Sequence, residues 1–320
     1  MSNPLEIYIF DVGLGQSIFI HPATSPEYGM FVDCADAADD SHPIDFLIKN
    51  QKIPSNGSMY ALSNLTVTNY DQDHFSGLPY IEKVASIATV RLAKNLSSAE
   101  IKAEKEETGF VTDALESLCH LKDTYTSSAL NYNPPYDVFT YSLSFDDLDE
   151  SQRTTNNLSQ LVFVKYQGSV ICISGDLEVA AWDKIIKKYP SVSEYLKATN
   201  VFIASHHGRE NGYCSNVFTH CGKPDCIIIS DKDIMHDTQD GMASKYCQHV
   251  PTGITFNGES RKVLTTRGDG NLLIQFNQDG SRTYGQFFTK EESVRAYGDF
   301  SSRVVSQGIL GSILASQSKS

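Results

Sequence analysis

The sequence has 320 residues, of which 40% are hydrophobic and 20% are charged, and its formal net charge is −13 at pH 7. This length and composition allow one large or two small globular domains with a full apolar core. The acidic balance argues against a protein that binds a nucleic-acid backbone tightly, because such proteins usually present a basic patch. No run of about 20 apolar residues occurs, so no transmembrane helix and no membrane partner are expected.

The cysteine pattern indicates the redox environment. The seven cysteines are scattered, and none belongs to a CxxC pair. Cys34, Cys172 and Cys226 stand inside apolar, strand-like runs, which is typical of buried reduced thiols. The amino terminus has no basic segment followed by an apolar stretch and therefore does not resemble a secretory signal. We expect a cytoplasmic protein without disulfides.

Alternating apolar residues bounded by turns predict short strands in both halves of the chain. The predicted strands are at residues 7–12, 17–20, 30–33, 62–68, 158–166, 170–174, 201–204, 226–230 and 272–276. Helices are predicted at 42–50, within 96–130 and at 182–188. Strands spread along the chain with helices between them favour an α/β fold in which two sheets pack together under outer helices.

The pattern changes after Gly285, where apolar pairs precede a serine-rich tip. We interpret this tail as a short helix that docks on the domain or on another subunit, with a frayed end. The predicted organisation is therefore a domain at 1–285, with an insertion at about 96–155, and a helical tail at 286–320. The tail is the predicted contact with a protein partner or a second copy of the chain.

Polar residues that bind metal ions follow three of the predicted strands. They are Asn69, Asp71, Asp73 and His74 after the first strand, Asp176 after the second, and His206 and His207 after the third. A turn after a strand leaves the backbone free to curl, so that imidazole and carboxylate groups from several strand ends can converge on one ion. Taken singly, the aspartates have a structural alternative, since each could cap a following helix.

Several segments also occur in an order that resembles a known family. Residues 11–17 are similar to a DVGQGD opening, and residues 68–77 are similar to a His-x-His-x-Asp-His-x-x-Gly signature. Three further segments follow in the family order, at 156–159, 171–176 and 205–208. Together they resemble the ComEC-like members of the metallo-β-lactamase-fold hydrolases over residues 5–276. The resemblance implies a four-layer αββα fold with one metal-centred active site at the sheet ends.

The chain departs from the family signature at its first two positions. Asn69 and Asp71 stand where the family has histidines that serve one metal ion. Oxygen ligands suit harder ions, which favours Mn²⁺ or Mg²⁺ at this first site. The alternative is a single zinc ion in the second site. We therefore expect one or two divalent ions.

The second site keeps the family pattern. The resemblance assigns to it Asp73, His74, the bridging Asp176 and one of the two adjacent histidines. We favour His206 as this ligand because it lies nearer the strand end and is held more rigidly. His207 is then a candidate for substrate binding.

Three residues are candidates for a direct role in the reaction. Asp73 is a ligand or, if one ion is bound, a base for the attacking water. His236 lies where ComEC-like proteins place a histidine near the site, and the resemblance makes it a candidate for substrate binding or proton transfer. Arg209 follows the His-His-Gly turn and is a candidate contact for an anionic substrate.

The resemblance implies hydrolysis by a metal-activated water, with phosphodiesters favoured as substrates. The acidity of the chain indicates a small or single-stranded phosphate-containing substrate, or a nucleic-acid end, rather than a duplex. Hydrolysis of carboxylic esters or lactams on the same fold is one alternative. The other is a catalytically impaired binding or regulatory subunit of a bacterial multi-protein system, motivated by the altered positions 69 and 71.

Overall fold

The computed structural model describes residues 3–37, 41–127, 132–232 and 240–288. The described residues up to Gln286 form one compact unit. They build two mixed β-sheets that pack face to face, with helices on both outer faces. The expected four-layer αββα architecture is therefore confirmed.

The two sheets place the ends of their parallel strands at shared edges. The strands in chain order are β1 (Leu5–Ile9), β2 (Ser17–Pro22), β3 (Met30–Cys34), β4 (Tyr60–Val67), β5 (Ala85–Leu92), β6 (Asp137–Tyr141), β7 (Leu161–Tyr166), β8 (Ser169–Ile173), β9 (Val201–Ile203), β10 (Cys226–Ile229), β11 (Ile254–Phe256), β12 (Glu259–Arg261), β13 (Val263–Thr265), β14 (Leu272–Phe276) and β15 (Arg282–Gln286). The first sheet has the order β15-β14-β1-β2-β3-β4-β5, the second has β13-β10-β9-β8-β7-β6, and β11 pairs with β12 separately. Because β3, β4 and β5 are parallel, as are β8, β9, β10 and β13, their carboxyl ends lie at one edge of each sheet.

Helices cover the outer face of each sheet. They are α1 (Pro43–Lys49), α2 (Leu78–Val84), α3 (Ser98–Thr108), α4 (Asp113–Thr124), α5 (Val179–Lys188), α6 (Pro190–Ala198), α7 (Val217–His220), α8 (Met242–Cys247) and α9 (Thr266–Asp269). On the first sheet, Phe46 of α1 contacts Tyr8 and Phe10, while α2 and α4 contact β5. On the second sheet, α6 contacts β8, and α8 contacts β10 and β13. Ser97 opens α3 as the N-cap of a capping box, which satisfies two backbone donors of the first turn.

The apolar core lies between the two sheets. Alternate residues of each strand point into it, such as Ile7 and Ile9 of β1 and Ile171 and Ile173 of β8, all fully buried. Burial of one such side chain stabilises the fold by about 1.5–3 kcal/mol. This core holds the sheets against each other and so fixes the relative positions of their strand ends.

The strands that the sequence did not predict include the edges of both sheets. β5 and β15 form the two edges of the first sheet, and β6 forms one edge of the second. Their residues are largely half-buried or exposed, so they lack the strong apolar alternation on which strand prediction depends. The strand predicted at 158–166 begins only at Leu161, because residues 156–158 form a 3-10 turn.

The predicted tail helix lies outside the described residues, which end at residue 288. The domain division, the tail helix, its partner and the cytoplasmic location therefore stay predictions. All seven cysteines lie in the described residues; each is a free thiol, and Cys34, Cys172 and Cys226 are buried as expected. None of the helices in the described parts of the chain is long and apolar enough to cross a bilayer.

Candidate metal centre

Side chains from three strand ends meet at one edge of the sandwich. The carbonyl oxygen of Thr68, directly after β4, accepts a hydrogen bond from the Gln160 N–H over 2.7 Å. The carbonyl oxygen of Gly175, after β8, accepts one from the His206 N–H over 3.0 Å. These bonds join the turn after β4 to the segment before β7, and the turn after β8 to the turn after β9. The side chains of the three predicted ligand segments also meet, since His74 Nε2 lies 3.1 Å from Asp176 Oδ1 and His207 Nε2 lies 3.3 Å from Asp73 Oδ2.

Backbone conformation at this edge is unusual. Gly175 has a φ of +52°, and a Cβ atom there would lie 2.8 Å from Thr68 Oγ1, so only glycine fits. His206 and His207 have φ values of 51° and 52°. The left-handed region costs a non-glycine residue about 1–2 kcal/mol. Strain of this kind clusters at functional sites, where surrounding contacts hold the residues in place.

Four side chains direct nitrogen and oxygen atoms towards one another in this centre. Asp73 Oδ2 lies 3.3 Å from His207 Nε2, and His74 Nε2 lies 3.1 Å from Asp176 Oδ1. The distance from His207 Nε2 to Asp176 Oδ1 is 3.6 Å, and that from His74 Nε2 to Asp73 Oδ1 is 4.0 Å. Ligands about 2.1 Å from one tetrahedral ion stand about 3.4 Å apart. The observed spacing therefore fits a single ion.

The hydrogen bonding of these atoms also fits an ion. His74 Nε2, His207 Nε2 and Asp176 Oδ1 are buried, and the contacts of these atoms with one another and with Asp73 lack good hydrogen-bond geometry. A buried polar atom is normally paired, because leaving it unpaired costs about 1–3 kcal/mol. Two imidazoles and two carboxylates form a donor set that suits a divalent transition-metal ion.

The electrostatics of the centre favour positive charge. Burial lowers the pKa of His74, but the carboxylates of Asp176 and Asp33 outweigh it and hold that pKa well above its ordinary value. Burial also lowers the pKa of His207, and Asp176 and Asp73 likewise raise it above its ordinary value. The negative charge of these carboxylates must be balanced by positive charge. Either protons on the two imidazoles supply it, or a bound cation takes the place of those protons.

The second nitrogen of each imidazole is fixed by a partner. His74 Nδ1 lies 2.7 Å from Asp33 Oδ2, and His207 Nδ1 lies 2.9 Å from the carbonyl oxygen of Ser230. These oxygens accept hydrogen bonds, so each Nδ1 carries a proton and each Nε2 is the nitrogen available to an ion. Asp33 is itself held by the Thr68 N–H, which donates to its Oδ1 over 2.6 Å.

His206 has a different environment from His207. Its Nε2 lies 3.2 Å from Arg209 Nη1, which donates to it, and 3.9 Å from Asp176 Oδ2. Burial lowers the pKa of His206, which suits a neutral imidazole that accepts this bond. The geometry favours His207 as the metal ligand, and the sequence-based preference for His206 stays a prediction that the geometry does not favour. Arg209 reaches the neighbourhood of the centre through this contact with His206.

Asn69 and Asp71, the expected ligands of a first ion, are held by protein partners. Asn69 Nδ2 donates to Asn156 Oδ1 over 3.0 Å, and Asn69 Oδ1 accepts from the Asp71 N–H over 3.1 Å. Asp71 Oδ1 forms an ion pair with Lys105 Nζ and accepts from Thr155 Oγ1 over 3.4 Å. The potential ligand cluster found among the described residues is Asp73, His74 and His207, so it contains neither Asn69 nor Asp71. Asp176 is not part of this cluster and adjoins it through Oδ1, which lies 3.1 Å from His74 Nε2.

Helix capping does not explain the aspartates. The N-cap of α5 is Glu178, so Asp176 is not a cap. Asp71 precedes the 3-10 turn Gln72–His74, but its side chain makes no capping hydrogen bond. His236 lies outside the described residues, and its role in substrate binding or proton transfer stays a prediction.

A cavity of about 350 Å³ opens beside the centre. It is lined by residues 70–73 after β4, by Lys105 of α3 and by the loop that contains Phe110. The Asp73 side chain is 33% exposed, whereas those of His74 and His207 are 0% and 2% exposed. Asp73 is therefore the ligand candidate that faces the cavity.

The sequence analysis missed three residues of the centre. Asp33 stands inside the apolar strand β3, and a fully buried carboxylate there must have partners, which was a usable signal. Ser230 contributes a backbone carbonyl, so its residue type carries no signal. Lys105 is one of several lysines in a polar helix, and only the fold brings it to Asp71.

No protein-family model matches the sequence, and no curated protein is significantly similar to it. Among solved structures, the chain is similar to the metallo-β-lactamase fold protein YhfI from Bacillus subtilis, with 9% identity and a TM-score of 0.44 over 88% of this chain and 100% of that chain. It is also similar to Zn²⁺-bound PqqB from Methylobacterium extorquens, with 13% identity and a TM-score of 0.35 over 59% of this chain and 58% of that chain. At such low identity, what this centre binds must be derived from its own side chains.

The layer order and the position of the centre define the class of fold. Two mixed sheets pack under outer helices, and the candidate ligands follow β4, β8 and β9 at one edge. This is the four-layer metallo-β-lactamase fold that the sequence predicts.

Proposed function

We propose that the protein is a metal-dependent hydrolase whose ion is held by Asp73, His74, Asp176 and His207. The observation that carries this proposal is a set of buried polar atoms that face one another without good hydrogen-bond geometry: His74 Nε2 and His207 Nε2 lie 3.1 Å and 3.6 Å from Asp176 Oδ1. A divalent cation satisfies both imidazole nitrogens and the carboxylates at once. Zinc and manganese suit this mixed nitrogen and oxygen set better than magnesium.

A divalent ion held by these four side chains would supply a Lewis acid, which would polarise a phosphoryl or carbonyl oxygen and lower the pKa of bound water to about 7. The chain positions the other groups. Asp33 and Ser230 orient the two imidazoles, and the exposed Asp73 carboxylate can accept a hydrogen bond from a water molecule in the cavity and orient it for attack.

Phosphodiesters are the favoured substrates of the proposed enzyme. The resemblance to ComEC-like domains supports this choice, and so do two cationic side chains near the centre, Arg209 next to His206 and Lys105 in the cavity wall. The net charge of −13 disfavours a long duplex, because a duplex would be repelled over most of its length. A small or single-stranded phosphate-containing substrate, or a nucleic-acid end, fits this balance.

One observation favours a second candidate function. Asn69 and Asp71 are held by Asn156 and Lys105, so a catalytically impaired binding or regulatory subunit on the same fold is the alternative. In that function, the 286–320 tail would contact the partner or a second copy. Carboxylic-ester or lactam hydrolysis would use the same centre and differs from the leading proposal only in substrate.

Elemental analysis and a substrate panel test these proposals. Protein purified without added metal or chelator should carry zinc or manganese, and the Asp73→Ala/His74→Ala variant should lose it. The metal-loaded protein should cleave bis(p-nitrophenyl) phosphate, and the double variant should not. Cleavage confined to carboxylic esters or lactams would overturn the phosphodiester assignment. Protein that takes up no ion on titration would overturn the hydrolase proposal in favour of the binding subunit.

A further inference from the structure

The Lys105 ammonium is held at the edge of the candidate metal centre by its ion pair with Asp71. Lys105 projects from α3, and its ammonium pairs with Asp71 Oδ1 and lies 3.3 Å from Thr155 Oγ1. The two charged side chains are only 17% and 33% exposed, so the pair is shielded from much of the solvent. A cation held by a carboxylate and a hydroxyl in this way loses little mobility when it binds a further anionic oxygen.

The Lys105 ammonium pairs with Asp71, which is the carboxylate that a second metal ion would need as a ligand. Asp71 is the only carboxylate among the two residues that replace the family histidines, and it already neutralises Lys105. The amide of Asn69 is engaged at both ends, by Asn156 and by the Asp71 N–H. A second divalent ion would have to displace the Lys105 ammonium and break these contacts.

Lys105 and the ligand Asp73 line the same cavity. Lys105 is the one basic residue among the described residues that line it. The aromatic ring of Phe110 is 90% exposed and lies at the wall of the same cavity, where it offers an apolar surface. A small substrate in the cavity therefore meets the ligand Asp73, a cation and an aromatic ring.

We propose that Lys105 replaces a second metal ion, so that the protein binds one divalent ion and uses the Lys105 ammonium to bind an anionic oxygen of the substrate. This inference rests on the proposed hydrolase function and names the charge that its substrate must carry. The substrate class is an organic phosphate ester whose charged oxygen contacts Lys105 and whose organic group lies along Phe110.

Metal stoichiometry is the first arm of the test. Metal-free protein titrated with Mn²⁺ or Zn²⁺ and measured by native mass spectrometry should saturate at about one ion per chain. Asp71→Ala should keep that ion, because Asp71 is not among its ligands, whereas Asp73→Ala should lose it. Two ions in the unmodified protein, or loss of the ion in Asp71→Ala, would overturn the inference.

Binding of inorganic phosphate is the second arm, measured by calorimetry on the metal-loaded protein. Removal of one charge-assisted hydrogen bond in Lys105→Met should weaken phosphate binding by about tenfold or more. Lys105→Arg should restore most of the affinity. The matched control is Lys102→Met on the same helix, where Lys102 pairs with Glu116, and its phosphate affinity should be unchanged.

The outcomes separate this inference from the function on which it rests. Protein that binds no ion would overturn both. Protein that binds one ion but has the same phosphate affinity in Lys105→Met, or binds no phosphate, would overturn only the role of Lys105. One ion together with the Lys105-specific loss would support the inference.

Discussion

His74 and Asp33 are joined by a 2.7 Å contact between Nδ1 and Oδ2, and both side chains are fully buried. The carboxylate fixes the proton of the imidazole on the side away from the centre. It thereby leaves Nε2 as the nitrogen that faces Asp176 and Asp73. Partners of this kind usually decide ligand orientation and affinity in metal sites.

Asp33→Asn should weaken metal binding while leaving the ligands themselves in place. The loss of the negative charge reduces the basicity of His74, and an affinity lower by about 10- to 100-fold is expected. Competition with a fluorescent chelator measures this change. Asp45→Asn on α1, where the carboxylate accepts from Tyr80 Oη, is the control and should bind metal like the unmodified protein. An unchanged affinity in Asp33→Asn would contradict the role of Asp33.

His207→Ala and His206→Ala should differ in metal content. His207 Nε2 faces Asp73 and Asp176, whereas His206 Nε2 accepts from Arg209. We expect His207→Ala to lose the ion and His206→Ala to keep it, as measured by elemental analysis after gel filtration. Metal loss in His206→Ala alone would show that the ligand preference drawn from the sequence is right.

The left-handed backbone at His206 predicts an unusual order of stability. At a φ of 51°, alanine is strained and glycine is not, so His206→Gly should be more stable than His206→Ala by about 1 kcal/mol in urea unfolding. The control pair is Lys102→Gly and Lys102→Ala inside α3, where alanine should be the more stable residue by about 1 kcal/mol. Equal stability of the two His206 variants would argue that this turn relaxes in solution.

Glu6 on the outer side of β1 predicts a pH-dependent stability. Burial raises its pKa, but contacts with His21, Lys52 and Tyr8 outweigh burial and hold the pKa well below its ordinary value. Because the folded-state pKa is depressed, the stabilisation is fully present above the unfolded-state pKa of about 4.3 and is lost as the pH falls below it.

Glu6→Gln tests this linkage. At pH 7 the variant should have a free energy of unfolding lower by about 3 kcal/mol, because a buried charged partner is removed from Lys52. The difference should shrink as the pH falls below about 4. Glu210→Gln, which breaks an exposed pair with Lys245, is the control and should show a far smaller change of this kind, because solvent screens the pair. A deficit that is independent of pH would mean that Glu6 acts by packing rather than by charge.

The sequence predicted the layers for a physical reason, and it also predicted the segments that the structure brings together at the candidate centre. The inner strands are apolar on the face that packs in the core, as at Ile171 and Ile173, and the ligands follow those strands directly. The choice between His206 and His207 could not be predicted, because it depends on two left-handed residues that aim their side chains differently. The Lys105 contact also could not be predicted, since it depends on how α3 packs over the turn after β4.

The proposed ligands of the candidate centre come from both sheets. Asp73 and His74 follow β4 of the first sheet, whereas Asp176 and His207 follow β8 and β9 of the second. A bound ion would therefore cross-link the two halves of the sandwich and close long loops of the chain, as a disulfide does in other proteins. Removal of the ion by a chelator should then loosen the contact between the sheets. Limited proteolysis would therefore detect loss of the ion before an activity assay does.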